Sequence, residues 1–160
     1  MSLSDFQKVL QFNKAFGVQS HIKPNLDIFQ NNQKLINYRL SLVKEEFEEL
    51  QDAINNKDFI ETIDALTDIQ YVVLGFYSAL GIDADKAFQI VHDSNMSKLC
   101  KTEEEARQSV TNYLKERPQR YDSPNYRRSD DGIFWVVFNE STKKILKSWK
   151  YTPADFTEIM

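Results

Sequence analysis

The run "ETIDALTDIQYVVLGFYSAL", residues 61 to 80, constrains this chain more than any other stretch. It has no proline and a single internal glycine, and it is apolar around most of a helical circumference. An α-helix turns about 100° per residue, so with Asp64 at zero, Glu61 falls near 60° and Asp68 near 40°. Three acids therefore share one narrow strip of an otherwise apolar helix. A helix apolar on most sides is expected to be buried. A carboxylate buried without a partner is costly. Asp68, flanked by Tyr71 and Val72, then needs cations, hydrogen-bond donors or a raised pKa. The plainer alternative is an acidic strip that faces water.

Upstream, "VKEEFEEL" (residues 43–50) places four glutamates in eight positions. With Glu45 at zero, the stripe of Ile36, Val43, Phe47, Leu50 and Ile54 centres at about 170°. Glu46 lies at about 100° and Glu49 at about 40°, along one border of that stripe, whereas Glu48 lies at about 300°, on the far side. Glu46, Glu49 and Glu45 are thus candidates for an inward cluster, and Glu48 for a solvated position. If the two helices face each other, five or six acids meet in one cleft. An oxygen-only, acid-rich set suits Mg²⁺ or Mn²⁺. It does not suit zinc, which takes His and Cys. Neither His21 nor His92 follows a glutamate by three, so a Glu-x-x-His di-iron pattern is absent.

The remaining pattern predicts a mainly α protein, an antiparallel helical bundle with a small C-terminal β-hairpin. Helical spacing runs over residues 4–16 and stops at Gly17. It runs again over about 27–54 and 59–80, with Gly81 as a stop. Asp83 is a candidate N-cap for a helix to about Leu99, and Thr102 with Glu105 forms a capping-box pattern for one ending near Pro118. Short connections favour antiparallel neighbours. "IFWVVF" and "KILKSWKY" read as two strands joined by "NEST" and a lysine. The expected organisation is a helical domain over 1–117 and a C-terminal extension over 118–160. The net charge of −4 argues against general nucleic-acid binding. Cys100 is the single cysteine, which excludes an internal disulfide and points to a reducing, cytoplasmic setting. No apolar run is long enough for a membrane span, and the start lacks the apolar core of a signal peptide.

The third long helix contributes Asn95 and Lys98, within or beside an arc of Ala87, Phe88, Ile90 and Val91. An inward Lys and Asn suit a phosphate oxygen and a base or sugar. The structural alternative is a snorkelling lysine and a helix-capping asparagine. In the tail, Arg117, Arg120, Arg127 and Arg128 sit beside Tyr121, Tyr126 and Trp135. Such a mix grips phosphates and stacks bases, or forms a structural cap or subunit contact.

Glu46-x-x-Glu49, a spacer, then Glu61-x-x-Asp64 resembles the E-x-x-E…E-x-x-D signature of the all-α nucleoside triphosphate pyrophosphohydrolases. "YVVLG", "GID" and "SNMSK" look most like the MazG-like and phosphoribosyl-ATP-pyrophosphohydrolase-like branch, over roughly residues 5 to 100. Asp68, followed by "IQY", fits the signature's final Asp as well as Asp64 does; with Asp68 in that place, Ala65 departs from the pattern. The resemblance implies metal-dependent cleavage of a nucleoside triphosphate between the α- and β-phosphates, releasing monophosphate and pyrophosphate. It implies metal ligands at Glu46, Glu49, Glu61, Asp64 and Asp68, with Glu45 or Glu46 orienting or deprotonating water and Asn95 and Lys98 on the substrate. It also implies homodimers or dimer-based tetramers. Phosphoribosyl-ATP hydrolysis and a non-catalytic metal- or nucleotide-binding bundle are the alternatives.

Overall fold

A computed structural model describes residues 2–116 and 119–160; Arg117 and Pro118, named above in the tail and at a helix end, lie outside the described residues. The chain forms α1 (Asp5–Phe16), α2 (Ile28–Asn31), α3 (Gln33–Asn56), α4 (Phe59–Leu80), α5 (Ala84–Met96), α6 (Glu103–Glu116), β1 (Pro124–Arg128) and β2 (Trp135–Asn139), with a final 3₁₀ turn at Thr157–Ile159. Two compact units result, Met1–Phe88 with Phe156–Met160, and Gln89–Asp155. The division between them falls inside α5. Among the described residues, no single helix is long and apolar enough to cross a membrane.

In the first unit, α3 and α4 pack along each other, and α1 packs on α4. Local chemistry sets most helix ends. Ser4 caps α1 reciprocally with Gln7, and Gly17 ends it in the left-handed region. Asp58 caps α4 by accepting from the Ile60 and Glu61 amides, both at 3.1 Å. Phe6 and Val9 of α1 are buried, Phe12 meets Tyr71 edge-on at 5.7 Å, and Asn13 donates to the Ser78 hydroxyl at 3.1 Å.

The segment between α1 and α2 runs across the end of α4. The His21 and Asn25 amides donate to the Ser78 and Leu80 carbonyls, both at 3.0 Å. His21 Nδ1 donates to the Ala79 carbonyl at 2.6 Å, leaving Nε2 to accept from Asn25 Nδ2. The Ala79 and Leu80 carbonyls at the helix end thus find partners here, and the Ser78 carbonyl, which also accepts from the Gly81 amide at 3.2 Å, gains a second. Gly81 makes the approach possible: it has φ +75°, and a Cβ there would sit 2.0 Å from the Lys23 carbonyl oxygen.

Two expectations need correction in this unit. The helical pattern over 27–54 is two helices, broken at Asn32, whose φ of −146° is not helical. Its side chain accepts from the Leu35 amide at 3.2 Å and so starts α3 afresh, a local bond that asparagine offers in competition with a continuous helix. Nor is α4 buried on all sides in the single chain. Phe59 is 77% and Ile60 76% exposed, and Ile63, Leu66, and on α3 Phe47 and Ile54, are also more than half exposed. Among the described elements, α1 and α3 are the ones that pack closely on α4, too few neighbours to cover a helix that is apolar on most sides.

The second unit is built around Cys100, Ala106, Val137 and Leu146, with Val110, Tyr113, Tyr121, Tyr126 and Trp135 packed against them. Cys100 is free and buried. Thr102 Oγ1 accepts from the Glu105 amide at 3.2 Å, while the Glu105 carboxylate reaches the Lys101 amide at 2.8 Å. The hairpin exists with different strands from those expected. β2 pairs antiparallel with β1, Tyr126 opposite Val137, and β1 lies inside the polar stretch before it. "PNYRR" shows no apolar alternation because little of it is buried, and its proline stands at the strand's first residue, where a missing N–H is tolerated. "KILKSWKY" contributes one isolated bridge, Ile145 to Phe138. Its next amides are taken elsewhere: Lys147 donates to the Tyr113 hydroxyl, Ser148 to the Lys98 carbonyl and Trp149 to the Ser109 hydroxyl. Asp122 Oδ1 ties the hairpin's open end, accepting from Ser141 Oγ at 2.6 Å, Asn139 Nδ2 at 2.9 Å and Ser123 Oγ at 3.1 Å.

Candidate functional site

The first unit brings acids of α3 and α4 together around Glu46. The Glu46 carboxyl is held above its usual range, first by desolvation and then by the negative charges of Asp68, Glu49, Glu45 and Asp64, in that order. Glu46 and Asp68 are partly buried, while Glu45, Glu49, Glu61 and Asp64 are exposed. The helical rotation explains the selection. Glu46 and Glu49 stand on the border of the packed stripe, and Asp64 and Asp68 share the strip of α4 that looks at it. Glu48, on the opposite side, is exposed to water.

Asp64 and Asp68 both act on Glu46, Asp68 the more strongly. Asp64 joins Glu49 and Glu61 in an adjoining cleft of about 270 Å³, which Asp52, Asn56 and Asp58 also line. Asp52 was not singled out from sequence, although it stands three residues beyond Glu49 and so faces the same way. Asp58 is spoken for as the N-cap of α4.

Carboxylates crowded in this way repel one another, and desolvation together with that repulsion raises the Glu46 pKa. The donor set is oxygen only, which fits a hard divalent ion such as Mg²⁺. Among the described residues, no three His, Cys, Asp or Glu side chains converge closely enough to hold an ion as they stand.

Asn95 and Lys98 belong to the second unit. There Lys98 Nζ donates to Asn95 Oδ1 at 2.6 Å, a contact between neighbouring turns. Asn95 is exposed and Lys98 partly buried. The tail's cations lie on aromatic rings of the same unit: Arg128 over Trp135 at 5.1 Å, Arg120 over Tyr121 at 5.5 Å and Lys147 over Tyr151 at 4.0 Å. His92 is exposed.

Sequence reasoning also passed over Arg39. It lies on α3 seven residues before Glu46, hence within about 20° of it around the helix. Burial pushes its guanidinium pKa down. A cationic residue interrupting an apolar stripe, Ile36-x-x-Arg39-x-x-x-Val43, was the available signal.

A family model described as phosphoribosyl-ATP pyrophosphohydrolase matches residues 9–95, a span that takes in most of α1, all of α2 to α4 and nearly all of α5. An uncharacterized protein of Acanthamoeba polyphaga mimivirus, L479, is 24% identical, over 98% of this chain and 96% of that protein.

Proposed function

The chain belongs to the phosphoribosyl-ATP pyrophosphohydrolase family, within the MazG-like all-α pyrophosphohydrolases, and from that premise we propose that it is a Mg²⁺-dependent nucleoside triphosphate pyrophosphohydrolase. Family membership supports an activity of the nucleotide pyrophosphohydrolase type. The observation that carries the finer reading is the meeting of Glu45, Glu46, Glu49, Asp64 and Asp68 across two packed helices.

In this reading Glu46, Glu49, Glu61, Asp64 and Asp68 hold the metal. Mg²⁺ would neutralise the polyphosphate and the charge developing on the leaving group, and would acidify the attacking water. Glu46 or Glu45 orients that water and takes its proton. Water oxygen bonds to the α-phosphorus, the bond from that phosphorus to the αβ-bridging oxygen breaks, and pyrophosphate leaves with the bridging oxygen. Lys98 and Asn95 contact the substrate. The large apolar side chains exposed on α3 and α4, among them Phe47, Phe59, Ile60 and Ile63, support a dimer or dimer-based tetramer, because monomers rarely leave such patches open. Light scattering that returns the monomer mass would count against it.

A second reading is favoured by the activity for which the family is named: the substrate is phosphoribosyl-ATP. A non-catalytic metal- or nucleotide-binding bundle is the third. One experiment separates them. A panel of nucleoside triphosphates and phosphoribosyl-ATP is incubated with Mg²⁺ in ¹⁸O-water, and pyrophosphate and the other product are measured. The proposal expects pyrophosphate release, with label in the nucleoside monophosphate. Turnover of phosphoribosyl-ATP alone selects the second reading, and no turnover at all the third. Release of orthophosphate with a diphosphate product refutes the chemistry.

A further inference from the structure

Arg39 is 5% exposed. Its Nε and Nη2 atoms are closed off from solvent and have no acceptor among the described residues. These two nitrogens form the edge of the guanidinium fork that grips an oxyanion with two parallel hydrogen bonds. The side chain is therefore in an expensive resting state, since a charge away from water needs a countercharge.

None is supplied by its surroundings on α3. The positions three and four residues away, where an ion pair would form on a helix, are Leu35, Ile36, Leu42 and Val43. On α4 it meets Gly75, where an added Cβ would lie 3.0 Å from Nη1. Its guanidinium lies over the Tyr38 ring, 6.0 Å from Cζ to centroid. A lone glycine in mid-helix costs about 1 kcal/mol relative to alanine, so the room for this guanidinium is kept at a loss in helix stability. The position in the fold is equally specific. Arg39 meets Gly75, and Glu46 has Asp68 as its foremost charged neighbour; each partner of the first pair is seven residues along its helix from the corresponding partner of the second. This buried cation thus shares a face with the acid cluster, two turns or about 10.5 Å away along the axis, a separation that an extended polyphosphate and an arginine side chain bridge together.

We infer that Arg39 is a substrate-binding residue that receives the outer phosphates, those that leave as pyrophosphate, at the far end of the acid-lined face. The guanidinium turns its free edge toward the anion by rotation of its own side-chain torsions. This deepens the reading of the same site and rests on it for the identity of the anion, which is the outer part of a nucleotide polyphosphate.

The test uses the full chain, with inorganic pyrophosphate as probe and the same Mg²⁺ concentration in every sample. Thermal unfolding is followed as pyrophosphate is titrated, for wild type, Arg39→Met and Arg39→Lys, so that the Mg²⁺ effect alone is subtracted. Wild type is expected to show a saturable rise in Tm. Arg39→Met should bind pyrophosphate at least about tenfold more weakly, as for loss of hydrogen bonds to a charged group, and should itself melt no lower than wild type. Arg39→Lys keeps the charge without the fork and should fall between. Should the Met variant fail to fold, the Lys variant decides: a severalfold weaker titration supports the inference. A titration unchanged in the folded variants, or absent in wild type, overturns it. Hydrolysis by wild type is measured separately. No hydrolysis with an intact Arg39-dependent titration refutes the reaction and not the anion site; hydrolysis with an Arg39-independent titration does the reverse.

Discussion

Replacing Glu46 by Gln removes the charge at the centre of the acid cluster while keeping the shape of the side chain. Four acids act on Glu46: Asp68, Glu49, Glu45 and Asp64. A like-charge pair on neighbouring helical positions costs a few tenths of a kcal/mol. Of the four, Glu49 is such a pair, three residues along the same helix; a comparable few tenths for each of the four acids gives about 1 kcal/mol, which for a chain of this size corresponds to a rise of about 2–4 °C in Tm. The metal-free variant should thus be more stable than wild type. Turnover should fall by about 100-fold or more, as for other positioned catalytic groups. Mg²⁺ should raise the wild-type Tm by binding only the folded state, EDTA should reverse the rise, and the variant should respond less. Differential scanning fluorimetry with and without Mg²⁺, beside a pyrophosphate-release assay, measures all three effects. Glu48→Gln is the control: it points away from the cluster and should change stability by less than about 0.5 kcal/mol. The reasoning fails if Glu46→Gln melts below wild type in EDTA with an undiminished Mg²⁺ response. It fails equally if Glu48→Gln is as damaging to turnover.

Two further outcomes follow from the second unit. Lys98→Ala should raise KM for the nucleotide about tenfold or more and leave the circular dichroism spectrum unchanged, because the hydrogen bond of Lys98 Nζ is to the nearby Asn95 side chain; unaltered kinetics would return it to a surface role. Asp122 is held down at about 2, against 3.8, by bonds from Ser141, Asn139 and Ser123. A depressed carboxyl contributes stability above its unfolded value and loses it as pH falls through the folded one, so the hairpin's open end should loosen between about pH 4 and 2, seen in the Ser141 and Asn139 side-chain signals by NMR. Asp122→Asn should flatten that pH dependence; an unchanged profile would show that another group governs the transition.

What could be read in the sequence was what depends on nearest neighbours along the chain. Gly17, Gly81, Asp83 and Thr102 are helix-end residues whose chemistry acts within four positions, and they lie at ends observed; Ser4 and Asp58 cap helices over the same short range but were not singled out. Helical rotation likewise separates Glu46 from Glu48 despite their closeness in sequence, and it brings Asp64 and Asp68 to one side. What escaped depends on distant parts of the chain. Asn32 looked like any polar residue in a helix until its side chain took the Leu35 amide. β1 is a strand because β2 offers it partners, not because "PNYRR" alternates. "KILKSWKY" has the composition of a strand, but α6 side chains and Lys98 take its amides. Apolar composition in α4 signalled surface to be covered, without saying that this chain alone leaves Ile60 and Phe59 open. Arg39 could be noticed only as an interruption; its lack of an acceptor is visible when Gly75 comes opposite.

The passage of residues 21–25 over the end of α4 has a consequence for how this unit opens. The His21 and Asn25 amides sit in an irregular segment, yet their acceptors are the Ser78 and Leu80 carbonyls. Their hydrogen exchange is therefore governed by the opening of the α4 terminus, some sixty residues away in sequence, rather than by fraying of their own segment. The first unit's irregular stretch and its most apolar helix should exchange as one cooperative body. A side chain introduced at Gly81, unable to coexist with the Lys23 carbonyl, should collapse protection at both places at once while leaving the amides of the hairpin unit untouched.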